Sequence, residues 1–168
     1  MSFNLDWSKA LQLTSVVVTA HLAGFHYCSD SIVLYNAKKL DDTNALVKGW
    51  YRGWEIGRRI GPLSVLMPAI GFSICAWNAG VGGPGFIRNA VAAASMHLIM
   101  PYTVVVVFPV NDVLLAAHAK LTSAKGDDAR LDDASIRANI SEWQAADYFR
   151  MNLARIAVVA GVVAMLSV

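Results

Sequence analysis

The sequence predicts an all-α integral membrane protein, a four-helix bundle with an additional interfacial amphipathic segment before the last helix. Three observations predict it. First, charged residues make up 15% of the 168 positions and hydrophobic residues 56%, whereas a soluble domain carries about 25% charged residues. Second, the deficit is concentrated in blocks. Ala10–Ser29, Ile60–Trp77 and Asn89–Val110 contain no Asp, Glu, Lys or Arg, and a run of roughly 18 or more such residues can cross the hydrocarbon layer as a helix. Third, basic residues gather in two of the three connections, which is the asymmetry that orients membrane helices.

The first helix is expected at about 10–35. Met1–Lys9 contains Asp6, Trp7 and Lys9, and the apolar stretch runs on too far, so no cleaved secretory signal with a basic leader and a short apolar stretch is expected. A polar connection follows, with Asp41, Asp42 and Asn44 as turn signals. Trp50, Tyr51 and Trp54 arrive just before the second helix, at about 58–78, where an aromatic belt at the membrane surface is expected. Pro62 and Pro68 fall inside that helix, as a packed membrane bundle tolerates. Asn78–Gly85 (NAGVGGPG) reads as a tight turn without a phosphate-loop pattern. The third helix is expected at about 88–110. Beyond the polar stretch Lys120–Asp133, residues Ile136, Ile140 and Trp143 share one helical face, the mark of the amphipathic segment. The fourth helix, at about 150–168, needs Arg155 within it to reach spanning length. One domain covers 1–168.

Lys38, Lys39, Lys48, Arg52, Arg58 and Arg59 lie between helices one and two. Lys120, Lys125, Arg130, Arg137 and Arg150 lie between helices three and four. Both long connections are therefore expected on the inner side, with both termini opposite. The net charge of +2 points to no nucleic-acid partner. Cys28 and Cys75 fall at different depths, so no disulfide is expected. No CxxC, HExxH or CxxCH occurs, and His21 with His97 lacks a third ligand, so no metal site and no cofactor are expected.

Under this topology the inner helix ends bring together Asp30, Trp54, Glu55, Arg58, Asn111, Asp112, Asn152 and Arg155. An ionisable group inside a bilayer is costly unless paired or facing a cavity. Asp30 and Arg155 are thus expected to form a structural ion pair. His26 and Asp30, four apart, share a helix face, an arrangement in which a carboxylate orients either a buried imidazole or a general base. His118 is expected in solvent.

Three stretches carry a resemblance. They are LVKGWYRGWEIGRRIGPLSVL (Leu46–Leu66), PYTVVVVFPVNDVLLA (Pro101–Ala116) and the Asn-x-x-Arg of Asn152 to Arg155. Together they resemble the anthrone oxygenase-like family of small four-helix membrane proteins. The resemblance implies an enzyme that converts an anthrone-type, polyketide-like aromatic to a quinone with dioxygen and without a cofactor. By matching positions it implies that Trp50, Tyr51, Asn111, Asp112, Asn152 and Arg155 line the site. In the oxygenase reading Trp50, Tyr51, Trp54 and Asn111 bind substrate, His26 or Asp112 removes a proton, and Asn152 and Arg155 polarise the substrate carbonyl. In helix one, His21, His26, Tyr27 and Asp30 depart from the smaller residues of the family pattern.

Two functions are open at this level. One is a non-catalytic accessory subunit of a larger membrane complex, with the mitochondrial inner membrane as its expected home. Its helix-four stripe of Ala154, Ala157, Gly161 and Ala164 would suit close packing against other subunits. The other is the oxygenase, expected in an endoplasmic-type membrane. Both have the lipid bilayer as a partner.

Overall fold

The computed structural model describes residues 6–29, 34–39, 42–123 and 131–167. Helices are the only regular elements among these residues. Four long helical rods run through α1 (Trp7–Cys28), α3 (Thr43–Ala79), α4 (Phe86–Tyr102) continuing into α5 (Phe108–Ser123), and α6 (Asp133–Met165), with a single turn, α2 (Tyr35–Lys38), after the first. Asp6 caps α1 by accepting from the Ser8 N–H at 3.1 Å.

Three of these rods, Thr43–Ala79, Phe86–Ser123 and Asp133–Met165, are long and apolar enough to cross a membrane. The first rod is long enough at 22 residues but less apolar. The reason lies in its inward face, where Gln12, Ser15, Thr19 and His26 are buried in the protein.

The rods extend well past the hydrophobic runs. The second begins at Thr43 rather than near residue 58, so Trp50, Tyr51 and Trp54 lie on the helix itself. The amphipathic segment around Ile136 is one uninterrupted helix with the last span. Its apolar face is covered by protein: Ile136, Ile140 and Trp143 are all buried in a core with Leu46, Val47, Trp50 and Leu114.

The third rod contains a π-helical stretch, Thr103–Val107, between Pro101 and Pro109, closed by a Phe108 N–H to Thr103 carbonyl bond. A proline cannot donate to the helical ladder and crowds the preceding turn. A wide turn between two prolines re-satisfies the freed carbonyls. The turn between α3 and α4 bends at Gly80 (φ +69°) and Gly85 (φ +83°), conformations that a side chain would strain.

The chain divides into two compact units. One comprises Met1–Gly24, Gly61–Pro101 and Met151–Val168, the other Phe25–Ile60 and Tyr102–Arg150. The first unit, called the small-residue unit below, packs Ala69, Ala92, Ala93, Ala154 and Ala157 around Phe72 and Met96. Its helices approach closely. A Cβ on Gly161 would lie 2.7 Å from Phe72 Cε1 and 2.8 Å from Val16 Cγ2, and one on Gly71 would overlap the Ser15 hydroxyl. Gln12 Nε2 locks the unit by donating to Asn89 Oδ1 (3.0 Å) and to the Gly161 carbonyl (3.2 Å). The stripe Ala154, Ala157, Gly161 and Ala164 is buried within this unit.

Candidate functional site

The second unit holds an aromatic core and a buried ionic group. Trp50, only 1% exposed, stacks on Trp54 at 6.1 Å and meets Trp143 edge-on at 6.3 Å. The expectation that Trp50 belongs to a belt at the membrane surface is corrected here. α3 starts early enough to turn that indole into the core. Tyr51, half-buried, stacks flat on His118 at 3.7 Å between centroids, so His118 is a packed ring rather than a solvated one. Trp54 also carries the Arg58 guanidinium over its face at 5.1 Å.

Asn111 is buried, and its Oδ1 accepts from Trp143 Nε1 at 2.9 Å. Its amide oxygen is thereby committed to holding an aromatic wall. Asp112, next along α5, is exposed.

The ionic group is built from α1 and α6. His26 Nδ1 lies 2.9 Å from Asp147 Oδ2, with side chains 9% and 1% exposed. The other carboxylate oxygen, Oδ1, accepts from Arg150 Nη2, one turn further along α6. A carboxylate can only accept, so Nδ1 carries the proton in this contact and Nε2 is left as the basic nitrogen. Among the described residues no group hydrogen-bonds Nε2. Arg150 Nε is buried and has no hydrogen-bond partner among the described residues, and the same is true of Trp50 Nε1. Phe25 packs edge-on to His26 at 5.9 Å. A Cβ added at Gly57 of α3 would lie 3.5 Å from the Phe25 ring, in ordinary van der Waals contact with it.

Asp147 thus takes the orienting role that helical spacing assigned to Asp30, which lies outside the described residues, as does the expected Asp30–Arg155 pair. Asp147 was missed, yet its signal was present. Ile136, Ile140, Trp143 and Asp147 continue one stripe at intervals of four, three and four, so a carboxylate at the fourth place points inward.

Asn152 and Arg155 belong to the small-residue unit. Arg155 is exposed and donates to Asn152 Oδ1 at 3.4 Å on its own helix. Both residues line an open groove of about 580 Å³ with Arg88, Ile156, Val159, Ala160 and Val163. The residues expected to form one site therefore fall into two sets: His26, Trp50, Tyr51, Trp54, Asn111 and Asp112 in one unit, Asn152 and Arg155 in the other. Among the described residues no group of three or more His, Cys, Asp or Glu side chains could hold a metal ion.

The anthrone oxygenase family pattern matches residues 50–163, more than half of the chain. The chain belongs to the anthrone oxygenase family. The matched region contains the aromatic core, Asn111, Asp147, Arg150 and Arg155, while His26 precedes it. No curated protein and no solved structure matches this family member.

Proposed function

We propose that this member of the family is an oxygenase that converts an anthrone-type aromatic to a quinone with dioxygen, with His26 as its general base. The observation that carries the proposal is the buried His26–Asp147 contact at 2.9 Å. A carboxylate that fixes the imidazole tautomer leaves Nε2 ready to take a proton and stabilises the imidazolium that results.

An anthrone carries an acidic methylene opposite its carbonyl. Loss of one methylene proton to Nε2 gives an enolate, which Arg150 Nε can stabilise as a donor aimed at developing negative charge. The enolate passes one electron to dioxygen. The resulting radical pair combines into a peroxide anion at the same carbon, which takes the proton back from the His26 imidazolium to give the hydroperoxide. Loss of the second methylene proton and cleavage of the O–O bond release water and leave the new carbonyl. One anthrone and one dioxygen thus become one anthraquinone and one water. Tyr51 and Trp54, both half-buried, suit a flat aromatic substrate, since aromatic faces pair with offset or edge-on rings, and Trp50 backs Trp54 from the core.

The accessory-subunit reading draws less support from these features. The small-residue stripe on α6 that would have received a partner is occupied by the protein's own Phe72 and Val16 at Gly161. A buried carboxylate shared by an imidazole and a guanidinium is more than a packing surface requires.

The test is dioxygen uptake by the purified full chain in mild detergent supplied with an anthrone. The oxygenase consumes one dioxygen per quinone formed, and His26→Asn lowers the rate by about two to four orders of magnitude. Absence of uptake, together with loss of a co-purifying membrane complex on deletion of the protein, would return the accessory reading.

A further inference from the structure

Arg155 interrupts the apolar part of α6, five residues beyond Arg150 and just before the uncharged run Ile156–Met165. A guanidinium at such a position normally pairs with a carboxylate or turns into the protein. Arg155 does neither among the described residues. It is exposed, its nearest polar partner is the neutral Asn152 amide, and no carboxylate lies within ion-pair distance of it there. Arg88 of α4 is exposed in the same way and has no carboxylate partner among the described residues. The two arginines line one open groove whose remaining wall is aliphatic: Ile156, Val159, Ala160 and Val163.

We infer that this groove binds an anionic phospholipid. Two guanidinium groups without a carboxylate partner among the described residues each offer a fork of donors suited to phosphodiester oxygens. The aliphatic side chains of α6, spaced along one face by three and four residues, give an acyl chain a continuous apolar bed. Basic pockets between membrane helices take anionic headgroups by this combination. A zwitterionic lipid offers the same chains but sets a choline cation against the arginines. A free phosphate would meet the arginines but place no chain along the aliphatic wall. The bound lipid offsets the cost of holding Arg155 in an apolar surface, so lipid is part of the structure of the small-residue unit. The inference is independent of the proposed oxygenase activity, because neither arginine belongs to the His26 site.

The test is native mass spectrometry of the full chain, delipidated in non-ionic detergent and returned to phosphatidylglycerol or phosphatidylcholine with identical acyl chains. Phosphatidylglycerol is expected to be retained roughly tenfold or more over phosphatidylcholine, given the attraction each arginine adds. Arg88→Gln with Arg155→Gln should abolish the preference, and Arg155→Lys should weaken it in part. Arg58→Gln with Arg59→Gln, on α3, should preserve it. Equal retention of the two lipids by the unaltered chain overturns the inference without recourse to any variant. An unchanged preference in the Arg88/Arg155 double variant overturns it as well.

Discussion

The two units of this chain are built on opposite principles. The small-residue unit packs alanines and glycines so closely that a Cβ at Gly71 or Gly161 would force a neighbouring side chain to shift, and its buried polar groups among the described residues, Gln12, Ser15, Thr19, Asn89 and Ser95, are neutral. The aromatic unit packs Trp50 and Trp143 and buries a carboxylate with two basic partners. Membrane helices associate through close packing and interhelical hydrogen bonds, which is what the first unit does. Nothing in that principle calls for a buried ion, whose desolvation is expensive. The second unit spends stability on a charged group, and a charged group of this kind is where chemistry is expected.

The contrast predicts where substitutions hurt. The largest effect should come from the ionic group. Asp147→Ala leaves Arg150 and His26 buried without their carboxylate and should lower the unfolding free energy by about 3–5 kcal/mol. Asp147→Leu combined with Arg150→Met should cost clearly less, because it removes the charges together. Denaturation in mild detergent checks both, and equal losses would mean that the carboxylate compensates no charge.

The next effect belongs to the small-residue unit. Gly161→Ala drives a methyl against Phe72 and Val16, and overpacking of this kind costs about 1–3 kcal/mol. The smallest effect should be at Gly24 of α1, where an added Cβ meets nothing within 4 Å. Gly24→Ala should be neutral or stabilising by up to about 1 kcal/mol. The pair, measured by thermal unfolding, separates close packing from helix propensity. A harmless Gly161→Ala would show that the unit is looser than its geometry.

Much of this fold was legible in the sequence. The uncharged runs Ile60–Trp77 and Asn89–Val110 marked two of the three rods apolar enough to cross a membrane, because length and hydropathy dominate that question. Asn78–Gly85 was legible as a turn because glycine is needed at positive φ. Rod lengths were less legible. Hydropathy falls silent where α3 and α6 continue beyond the apolar runs as amphipathic helices, and this hid Trp50 and Trp143 in the core. The partner of His26 was the main loss. Spacing within one helix offered Asp30, four residues away, while the observed partner lies 121 positions along the chain. A local rule cannot choose between them. The inward stripe of α6 could have, had its period been followed through the charged residue at Asp147. Arg155 and Asn111, singled out together in the sequence, fall in different units.

Proton abstraction at His26 is the central claim, and it can be isolated from the oxygen chemistry. With an anthrone in deuterated buffer under strict anaerobiosis, the protein should, on this proposal, catalyse exchange of the methylene hydrogens although no quinone can form. His26→Asn should lower that exchange by about two to four orders of magnitude, and Asp147→Asn, which keeps the shape but presents the wrong hydrogen-bond partner to Nδ1, should lower it to an intermediate level. Exchange in His26→Asn at the rate of the unaltered protein would contradict the account.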